Sequence, residues 1–282
     1  MKIDYVSDTH LDFYSKSTNP QDSKFSSRIA EFIDGMMPDG NVGEVLIVAG
    51  DTGHYNSQNK EFFRQMKEIY KEVIVVSGNH DLYLITDSQR KKYEYQSTQR
   101  TDELQKDCEV LGVHYLDGNI ITIDGIRFGG CAGWYDLPTP ADIRHWKQAM
   151  NDSNLIYDSY PVQLAYAYQR NSRPDWDTQA YYEGQLQKLK DVSKEGCDIL
   201  INHISQVIPP NDVIPEHFKN DPGNIFYYVD NEDIVKSSGA KFYLYGHTHD
   251  EHIWERDGIQ MRCNPFGYPM ESRGKKIQSF EI

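Results

Sequence analysis

The stretch VLIVAGD at residues 45–51 decides the fold, because five apolar residues run directly into Gly50 and Asp51. Short runs of this kind, rich in β-branched residues, are typical of strands. In an open α/β sheet, ligands bind beyond the carboxyl ends of the strands. The carboxylate of Asp51 is therefore placed where a functional site is expected.

Four further segments repeat this pattern of an apolar run followed by a polar motif. The runs cover residues 3–6, 73–76, 199–201 and 242–245. The motifs that follow them are, in chain order, Asp8-Thr9-His10, Gly78-Asn79-His80-Asp81, Asn202-His203 and Gly246-His247-Thr248-His249. One such motif is weak evidence, but five in succession predict that all of them meet at one rim of one sheet.

Helical and antiparallel patterns surround these strands. Residues 24–37 and 59–72 carry apolar side chains at helical spacing, and Asn59 is a candidate N-cap. Alternating strands and helices predict parallel crossovers. Residues 120–129 and 252–262 instead indicate tight hairpins around Asp-Gly turns. We therefore predict an α/β fold in which a two-sheet β-sandwich, with mixed sheets, is flanked by helices.

We expect a single domain over residues 1–282, with two segments that look like insertions. Residues 83–109 are polar, and their second half is expected to be helical. Residues 134–195 are long and aromatic, and we expect them to form a cap-like insertion over the sheet rim. The aromatic residues are either the core of that segment or a surface for stacking on a base or an aromatic leaving group. They are Trp146, Tyr157, Tyr160, Tyr166, Tyr168, Trp176, Tyr181 and Tyr182.

Composition limits the partners and the location. The net charge is −14 and no dense basic run occurs, which argues against a broad electrostatic grip on long nucleic acid without excluding one.

The cysteines are far apart in the sequence and predict reduced thiols that fill core space. They are Cys108, Cys131, Cys197 and Cys263. No apolar stretch approaches the ~20 residues that span a bilayer. A strand starting at Ile3 leaves no room for a signal peptide before it, so we expect a cytoplasmic protein with no membrane partner.

The motifs combine carboxylates, imidazoles and an amide oxygen. Two divalent metals roughly 3.5–4 Å apart can hold a hydroxide between them, neutralise phosphoryl oxygens and orient in-line attack. Such a pair needs a bridging carboxylate, several neutral imidazoles and one or two oxygen ligands, and the motifs supply this set. Carboxylate and imidazole ligands suit Mn, Fe or Zn, and no cysteine lies in the motifs to indicate a thiolate site.

The five blocks resemble the pattern of the calcineurin-like metallophosphoesterases, which is Asp-x-His, Gly-Asp, Gly-Asn-His-Asp/Glu, a lone His and Gly-His-x-His. The match runs from residue 8 to residue 249. The resemblance implies two sets of metal ligands. One metal takes Asp8, His10 and His249. The other takes Asn79, His203 and His247. Asp51 bridges the two metals, and His80 is implied to be catalytic, beside the leaving group and not bound to metal.

The resemblance implies a dinuclear-metal phosphoesterase that uses a metal-bridging hydroxide for in-line attack. We expect a small or nucleotide-type phosphodiester as substrate and manganese as the metal, with Fe, Zn or Ni as alternatives. The sequence departs from the Ser/Thr phosphatase branch, which has Gly-Asp-x-Val-Asp-Arg-Gly where this chain has Gly50-Asp51-Thr52-Gly53-His54. A phosphomonoesterase or nuclease is the alternative within the family. A catalytically silent scaffold of the same fold is the alternative from another class. The oligomeric state is left open.

Four features near the motifs have two interpretations each. Asp81 either orients His80 or caps the residues that follow. His54 either reaches the substrate or is an ordinary loop residue, which we favour. Asp12 is expected to be a turn or helix-start residue. Residues 264–269 form either a structural turn, which we favour, or part of the pocket wall.

Overall fold

A computed structural model describes residues 1–158 and 176–282 and contains two β-sheets. The first sheet has, in spatial order, the strands β11 (Gln278–Glu281), β1 (Lys2–Val6), β2 (Val45–Ala49), β3 (Glu72–Val76) and β4 (His114–Tyr115). Strands β1 to β4 are parallel, and β11 pairs with β1 in the antiparallel sense. The carboxyl ends of β1, β2 and β3 therefore meet at one edge of this sheet.

The second sheet is also mixed. It has, in spatial order, the strands β5 (Asn119–Ile123), β6 (Ile126–Gly130), β7 (Ile199–Ile201), β8 (Phe242–Tyr245), β10 (Ile259–Cys263) and β9 (His252–Arg256). The pairs β5–β6 and β9–β10 are antiparallel, which confirms both hairpins, and the four inner strands are parallel. The prediction that all motifs lie on one sheet is wrong. The chain starts the second sheet with the β5–β6 hairpin, so β7 and β8 deliver their motifs from there.

Helices flank the two sheets. They are α1 (Leu11–Tyr14), α2 (Phe25–Met36), α3 (Asn56–Ile69), α4 (Asp87–Lys92), α5 (Ser97–Leu111), α6 (Pro140–Ala149), α7 (Asp152–Leu155), α8 (Thr178–Glu195) and α9 (Glu232–Ser237). Short 3-10 helices cover His80–Leu82, Glu216–Phe218 and Pro222–Phe226. The N-cap prediction for Asn59 is wrong, because α3 begins after Tyr55. Asn59 lies inside the helix and donates through Nδ2 to the Gly53 carbonyl at 2.9 Å.

The main core lies between the two sheets. Ile47 and Ile74 of the first sheet pack with Ile201 and Leu244 of the second, and all four are fully buried. Burying each such side chain stabilises the fold by about 1.5–3 kcal/mol. The predicted two-sheet sandwich flanked by helices is therefore confirmed. All four cysteines are buried and free.

The second insertion has its own apolar cluster, within the part of it that the structure describes. Trp134, Trp146 and Tyr182 are buried there together with Tyr83 and Ile204, which lie next to the motifs. Three of the aromatic residues noted in the sequence, Tyr160, Tyr166 and Tyr168, lie outside the described residues. Within residues 1–158 and 176–282, no helix has the length and apolar character needed to cross a membrane.

The two ends of this insertion pack in different places. Ala149 and Met150, at the end of α6, form part of the wall of the cleft described below. The second half of α8 instead packs Leu189 and Val192 against the outer side of the second sheet, beside Leu200. Helix α6 thus faces the sheet rim, whereas the end of α8 belongs to the helical layer of the sandwich.

Candidate active site

Backbone hydrogen bonds join the loops that follow β1, β2 and β8. The Asp8 amide donates to the Gly50 carbonyl at 3.0 Å, and the His10 amide donates to the Asp51 carbonyl at 3.1 Å. The His247 amide donates to the Asp8 carboxylate at 3.0 Å. Motifs that are far apart in the sequence are thereby fixed against one another at the shared end of the two sheets.

The site stores backbone strain. Five of the predicted metal ligands have positive φ angles between 41° and 69°, a region that residues other than glycine rarely adopt. They are Asp8, His10, Asp51, His247 and His249. Each such residue costs about 1–3 kcal/mol and persists only where the surroundings enforce it, as functional sites commonly do.

Two glycines of the motifs are required by close packing around Asp51. A Cβ atom on Gly78 would lie 2.2 Å from Asp51 Oδ1, and one on Gly50 would lie 2.4 Å from His203 Nδ1. Real Cβ atoms do not approach so closely. The glycines of the Gly-Asp and Gly-Asn-His-Asp motifs therefore allow the polar side chains to converge.

The structure brings all seven predicted metal ligands together. The ligand atoms of Asp8, His10 and His249 lie within 4.8 Å of one another, and so do those of Asp51, His203 and His247. The seventh, Asn79, has its Oδ1 3.1 Å from His203 Nε2. His10, Asp51 and His80 form a third such group, so distance alone does not separate His80 from the ligands. The ligand roles remain a prediction.

Three histidines have their outward nitrogen committed to an acceptor. His203 Nδ1 lies 2.8 Å from the Ala49 carbonyl, and His247 Nε2 lies 3.0 Å from the Phe226 carbonyl. His249 Nδ1 lies 2.7 Å from the Glu271 carboxylate. Because these oxygens can only accept, the outward nitrogens carry the hydrogens. The other nitrogen of each ring faces the carboxylates of Asp8 and Asp51, so it can bind a metal once it carries no proton, the arrangement that metal-binding histidines use.

The pocket strongly attracts positive charge. Burial alone would lower the pKa of His203, but the carboxylates of Asp51 and Asp8 raise it to about 10. Burial would likewise lower the pKa of His249, but the carboxylates of Asp8 and Glu271 raise it to about 9. Burial opposes ionisation of Asp51, yet the surrounding histidines hold its pKa well below the usual range. Ionised carboxylates in a buried site favour a cation.

The donor set fits divalent metal ions. It offers two buried carboxylates, one amide oxygen and four imidazoles. Burial lowers the pKa of His10 to about 4 and that of His247 to about 3, so these two rings are neutral at pH 7, as ligation requires. Nitrogen and carboxylate ligands without thiolates suit Mn, Fe or Zn.

His80 lies beside the ligand cluster and faces the cleft. Its Nε2 atom is 4.0 Å from Asp51 Oδ2, and its side chain is 13% exposed, whereas the side chain of Asp51 is 1% exposed. Its backbone amide donates to Asp51 Oδ1 at 2.8 Å, which fixes the loop. Tyr83 stacks on the His80 ring, with ring centroids 4.3 Å apart. His80 is therefore placed where it can contact a bound substrate.

His54 and Asp12, which the sequence predicts to be ordinary loop, turn or helix-start residues, are hydrogen-bonded in a line to His80. His54 Nε2 lies 2.9 Å from His80 Nδ1, and His54 Nδ1 lies 2.7 Å from Asp12 Oδ2. The His54 amide also donates to Asp12 Oδ1 at 2.9 Å. Both residues lie within three or four positions of Asp8 or Asp51 in the sequence, and that proximity to strand-end motifs was the available signal.

Asp81 does not orient the His80 ring. Its Oδ2 accepts from the Asp51 amide at 3.1 Å and from the Gly78 amide at 2.8 Å, so it ties together the loops after β2 and β3.

Arg100 of α5 supports the same region, because its guanidinium donates to the His80 carbonyl at 2.7 Å and the Gly53 carbonyl at 2.5 Å. Nothing in the sequence around Arg100 indicated this role.

The loop over residues 264–269 does line the pocket. Tyr268 stacks on His10 with ring centroids 4.5 Å apart and lies in the cleft wall. Glu271, just beyond this loop, orients His249 and accepts from the Tyr268 amide at 2.8 Å. The favoured interpretation of residues 264–269 as only a structural turn is therefore wrong for Tyr268.

A cleft of about 610 Å³ opens over this cluster. Its described lining contains Asp51, Asn79, His80, His247 and His249 at the base. The upper wall has aromatic and acidic residues, namely Phe218, Tyr227, Tyr268, Asp250, Glu251 and Glu271. Lys275 is the single lysine or arginine of the described lining, and its Nζ donates to two backbone carbonyls. The cleft is large enough for a small organic ester.

The family model of the calcineurin-like phosphoesterases matches residues 1–251, so the chain belongs to that family. The resemblance inferred from the five motifs is thereby confirmed. An uncharacterized protein of Acanthamoeba polyphaga mimivirus is 25% identical in an alignment of length 282 that covers 95% of this chain and 91% of that protein.

A solved structure has a similar fold. The phosphopantetheinyl hydrolase of Mycobacterium tuberculosis superposes with a TM-score of 0.67 at 17% identity, covering 99% of this chain and 95% of that one. At this identity the likeness concerns the fold alone. Two mixed sheets with flanking helices are thus the architecture of both chains.

Proposed function

We propose that the protein is a dinuclear-metal phosphoesterase that hydrolyses a small phosphodiester. The observation that carries the proposal is the cluster around Asp51, where ligand atoms from all five motifs converge and three histidines are already oriented through their outward nitrogens. Asp8, His10 and His249 would hold one metal. Asn79, His203 and His247 would hold the other, and Asp51 would bridge them. We expect manganese, with Fe, Zn or Ni as alternatives.

Two divalent metals in this site would polarise the phosphoryl oxygens and lower the pKa of water to the neutral range. His80 would pass a proton to the leaving oxygen through Nε2. Because burial holds the pKa of this ring well below its usual range, it would take that proton from solvent in the cleft during the reaction. His54 receives the hydrogen bond from His80 Nδ1, and Asp12 in turn holds His54. The chain Asp12–His54–His80 keeps the acid aimed into the cleft. The hydroxide would attack phosphorus in line, on the side opposite the leaving oxygen.

The charge of the cleft supports a diester over a monoester. A diester carries one negative charge, whereas a phosphate monoester carries about −1.5 to −2 at pH 7. Asp250, Glu251 and Glu271 line the described wall, and Lys275 is already engaged by carbonyls. Such a wall repels the more highly charged ester more strongly. The aromatic faces of Phe218 and Tyr227 suit an apolar or ring-containing leaving group, including a nucleoside.

A panel of esters tests the proposal. Bis(p-nitrophenyl) phosphate, p-nitrophenyl phosphate and a nucleotide diester would be assayed with Mn, Ni, Zn and Mg. We expect higher kcat/KM on the diesters, with Mn most active. Higher kcat/KM on the monoester would indicate a phosphomonoesterase. If no metal supports cleavage of any ester, the result favours the alternative of a catalytically silent scaffold. We also propose that residues 1–282 form one domain with residues 134–195 as a cap-like insertion, and that the protein is cytoplasmic.

A further inference from the structure

The Asn79 side chain can function as a metal ligand in one orientation only. Its amide has an oxygen and a nitrogen of nearly equal size, and only the oxygen has lone pairs to offer a cation. Rotation by 180° about the last bond would present the NH2 group to the pocket instead. A neighbouring group must therefore select the orientation.

Asp152 is that neighbour. Asn79 Nδ2 donates to Asp152 Oδ1 at 2.8 Å, and Asn79 Oδ1 points to the other side, 3.1 Å from His203 Nε2. Burial raises the pKa of Asp152, and the hydrogen bonds from Tyr135, Tyr83 and Asn79 oppose that rise. With these three donors on its two oxygens, the carboxyl group acts as an acceptor towards Asn79. The flipped amide would place its oxygen against the carboxylate of Asp152, so the carboxylate excludes that orientation.

Asp152 is itself held in place by the second insertion and by the loop after β3. It is fully buried, and a buried carboxylate is tolerated only when it is hydrogen-bonded. Tyr83 donates to Oδ1, and Tyr135 donates to Oδ2 at 2.5 Å. The Trp146 indole N–H donates to the Tyr135 oxygen. Asp152 therefore has little freedom to move away from Asn79.

The segment that contains Asp152 is also docked through its backbone. The Leu84 amide donates to the Leu155 carbonyl at 2.8 Å, and the Ser97 amide donates to the Tyr157 carbonyl at 2.8 Å. These bonds join residues 152–157 of the second insertion to the first insertion. Asp152 lies 73 positions after Asn79 in the sequence, so the contact exists only when this part of the insertion is in place.

We infer that Asp152 is a positioning residue that fixes the Asn79 amide with its oxygen towards the metal centre, so that the insertion completes one of the two metal sites. The inference rests on the proposed metal centre. Groups that orient metal ligands typically contribute 10–100-fold to metal affinity. The metal bound by Asn79, His203 and His247 should depend on Asp152, and the other metal should not.

Calorimetric titration of metal-free protein with Mn²⁺ tests this. Asp152→Asn should weaken one binding step about 10–100-fold and leave the other unchanged. His249→Ala, which belongs to the other ligand set, identifies which step is which. Asp158→Asn is the matched control, because it makes the same chemical change at an exposed position of the same insertion.

A double-mutant cycle separates positioning from general support. If Asp152 acts through Asn79, Asp152→Asn should cause no further loss of affinity in an Asn79→Ala background. Tyr135→Phe, which loosens Asp152 without removing it, should weaken the same step by a smaller factor and serves if Asp152→Asn does not fold. Equal weakening of both steps, full additivity, or an unchanged affinity in both variants would overturn the inference. A wild type that binds two metals would in those cases leave the proposed function intact, whereas a wild type that binds none would overturn both.

Discussion

The Nε2 atom of His54 lies 2.9 Å from the Nδ1 atom of His80. The opposite nitrogen of His54 lies 2.7 Å from the Asp12 carboxylate, so the three side chains form a continuous line that ends at the cleft. All three are mostly buried, with Asp12 10% and His80 13% exposed. Asp12 accepts from His54 and so fixes the orientation of this line. Burial holds the pKa of His80 well below its usual range, against the opposing charge of Asp51, so the ring would have to take up during the reaction the proton that it donates.

His80→Ala should lower turnover without expelling metal. General acid catalysis is typically worth 10²–10⁴-fold, so we expect a loss of about that size on an ester with a poor leaving group. The loss should be smaller for p-nitrophenolate, which leaves without a proton. Steady-state kinetics on both esters, with metal content measured in parallel, check this. If the variant loses a metal ion, His80 is a ligand and the assignment is wrong.

His54→Ala should have a weaker effect of the same kind. It leaves the His80 ring in place but removes the partner of Nδ1, so kcat should fall by less than in His80→Ala. KM and metal stoichiometry should stay unchanged. Asp12→Asn, one step further along the line, should cost less again. Comparison of kcat across the three variants is the measurement, and a larger loss in Asp12→Asn than in His80→Ala would contradict this order.

The strand-end motifs were predictable from the sequence because local patterns determine them. An apolar run forms a strand, and the residue after the run lies at the carboxyl edge of the sheet. The long-range contacts that hold the motif side chains in place were not predictable in the same way. Asp152 approaches Asn79, and Glu271 approaches His249, only through the tertiary fold. A single acidic residue in a polar insertion gives no local sign of such a partner.

Two predictions were wrong, the N-cap at Asn59 and the placement of all motifs on one sheet. Both failed because tertiary structure, and not the local pattern, decides these features. Asn59 has the residue type of an N-cap, but the path of the chain out of the Gly50–His54 loop starts the helix earlier, at Asn56. The placement of the motifs on one sheet failed because the sequence pattern of a strand does not say which sheet it joins. Only pairing, such as that of β7 with β6, makes that choice.

Asp51→Asn should weaken both metal sites together. Asp51 is the carboxylate shared by the groups that contain His10 and His203, with Oδ2 3.9 Å and 3.3 Å from their Nε2 atoms. An amide in its place loses the negative charge that a bridge supplies to two cations. Elemental analysis after metal loading should show two ions in the wild type and a reduced content of both in the variant. His249→Ala should lose one ion only.

Metal binding should release protons and weaken as the pH falls. In the metal-free protein the pKa of His203 is about 10 and that of His249 about 9, so both rings are protonated at pH 7. A ligating imidazole must give up its proton, so each of these rings should release one. Because protons compete with the metal, a lower pH favours the metal-free form. Calorimetry in two buffers of different ionisation enthalpy measures the release, and metal affinity that is equal at pH 5 and pH 8 would refute the prediction.

Glu251→Lys should shift the preference from diesters towards monoesters. Glu251 is exposed and lines the cleft, so it repels a dianionic monoester more than a monoanionic diester. A unit charge on the order of 10 Å away interacts in water by about 0.4 kcal/mol, so a change of two charges should alter the ratio of kcat/KM values about fourfold for each extra substrate charge.

The matched control is Glu255→Lys, because Glu255 is exposed on β9 and lies outside the described cleft lining. It makes the same change in net charge four residues away, so it should leave the ratio of monoester to diester kcat/KM nearly constant. The effect of Glu251→Lys should also vanish in about 1 M salt, where the Debye length is about 3 Å. If both variants change the ratio equally, net charge and not the cleft wall is responsible. If neither does, the acidic wall does not select the diester, and the argument for a phosphodiester substrate loses its electrostatic support.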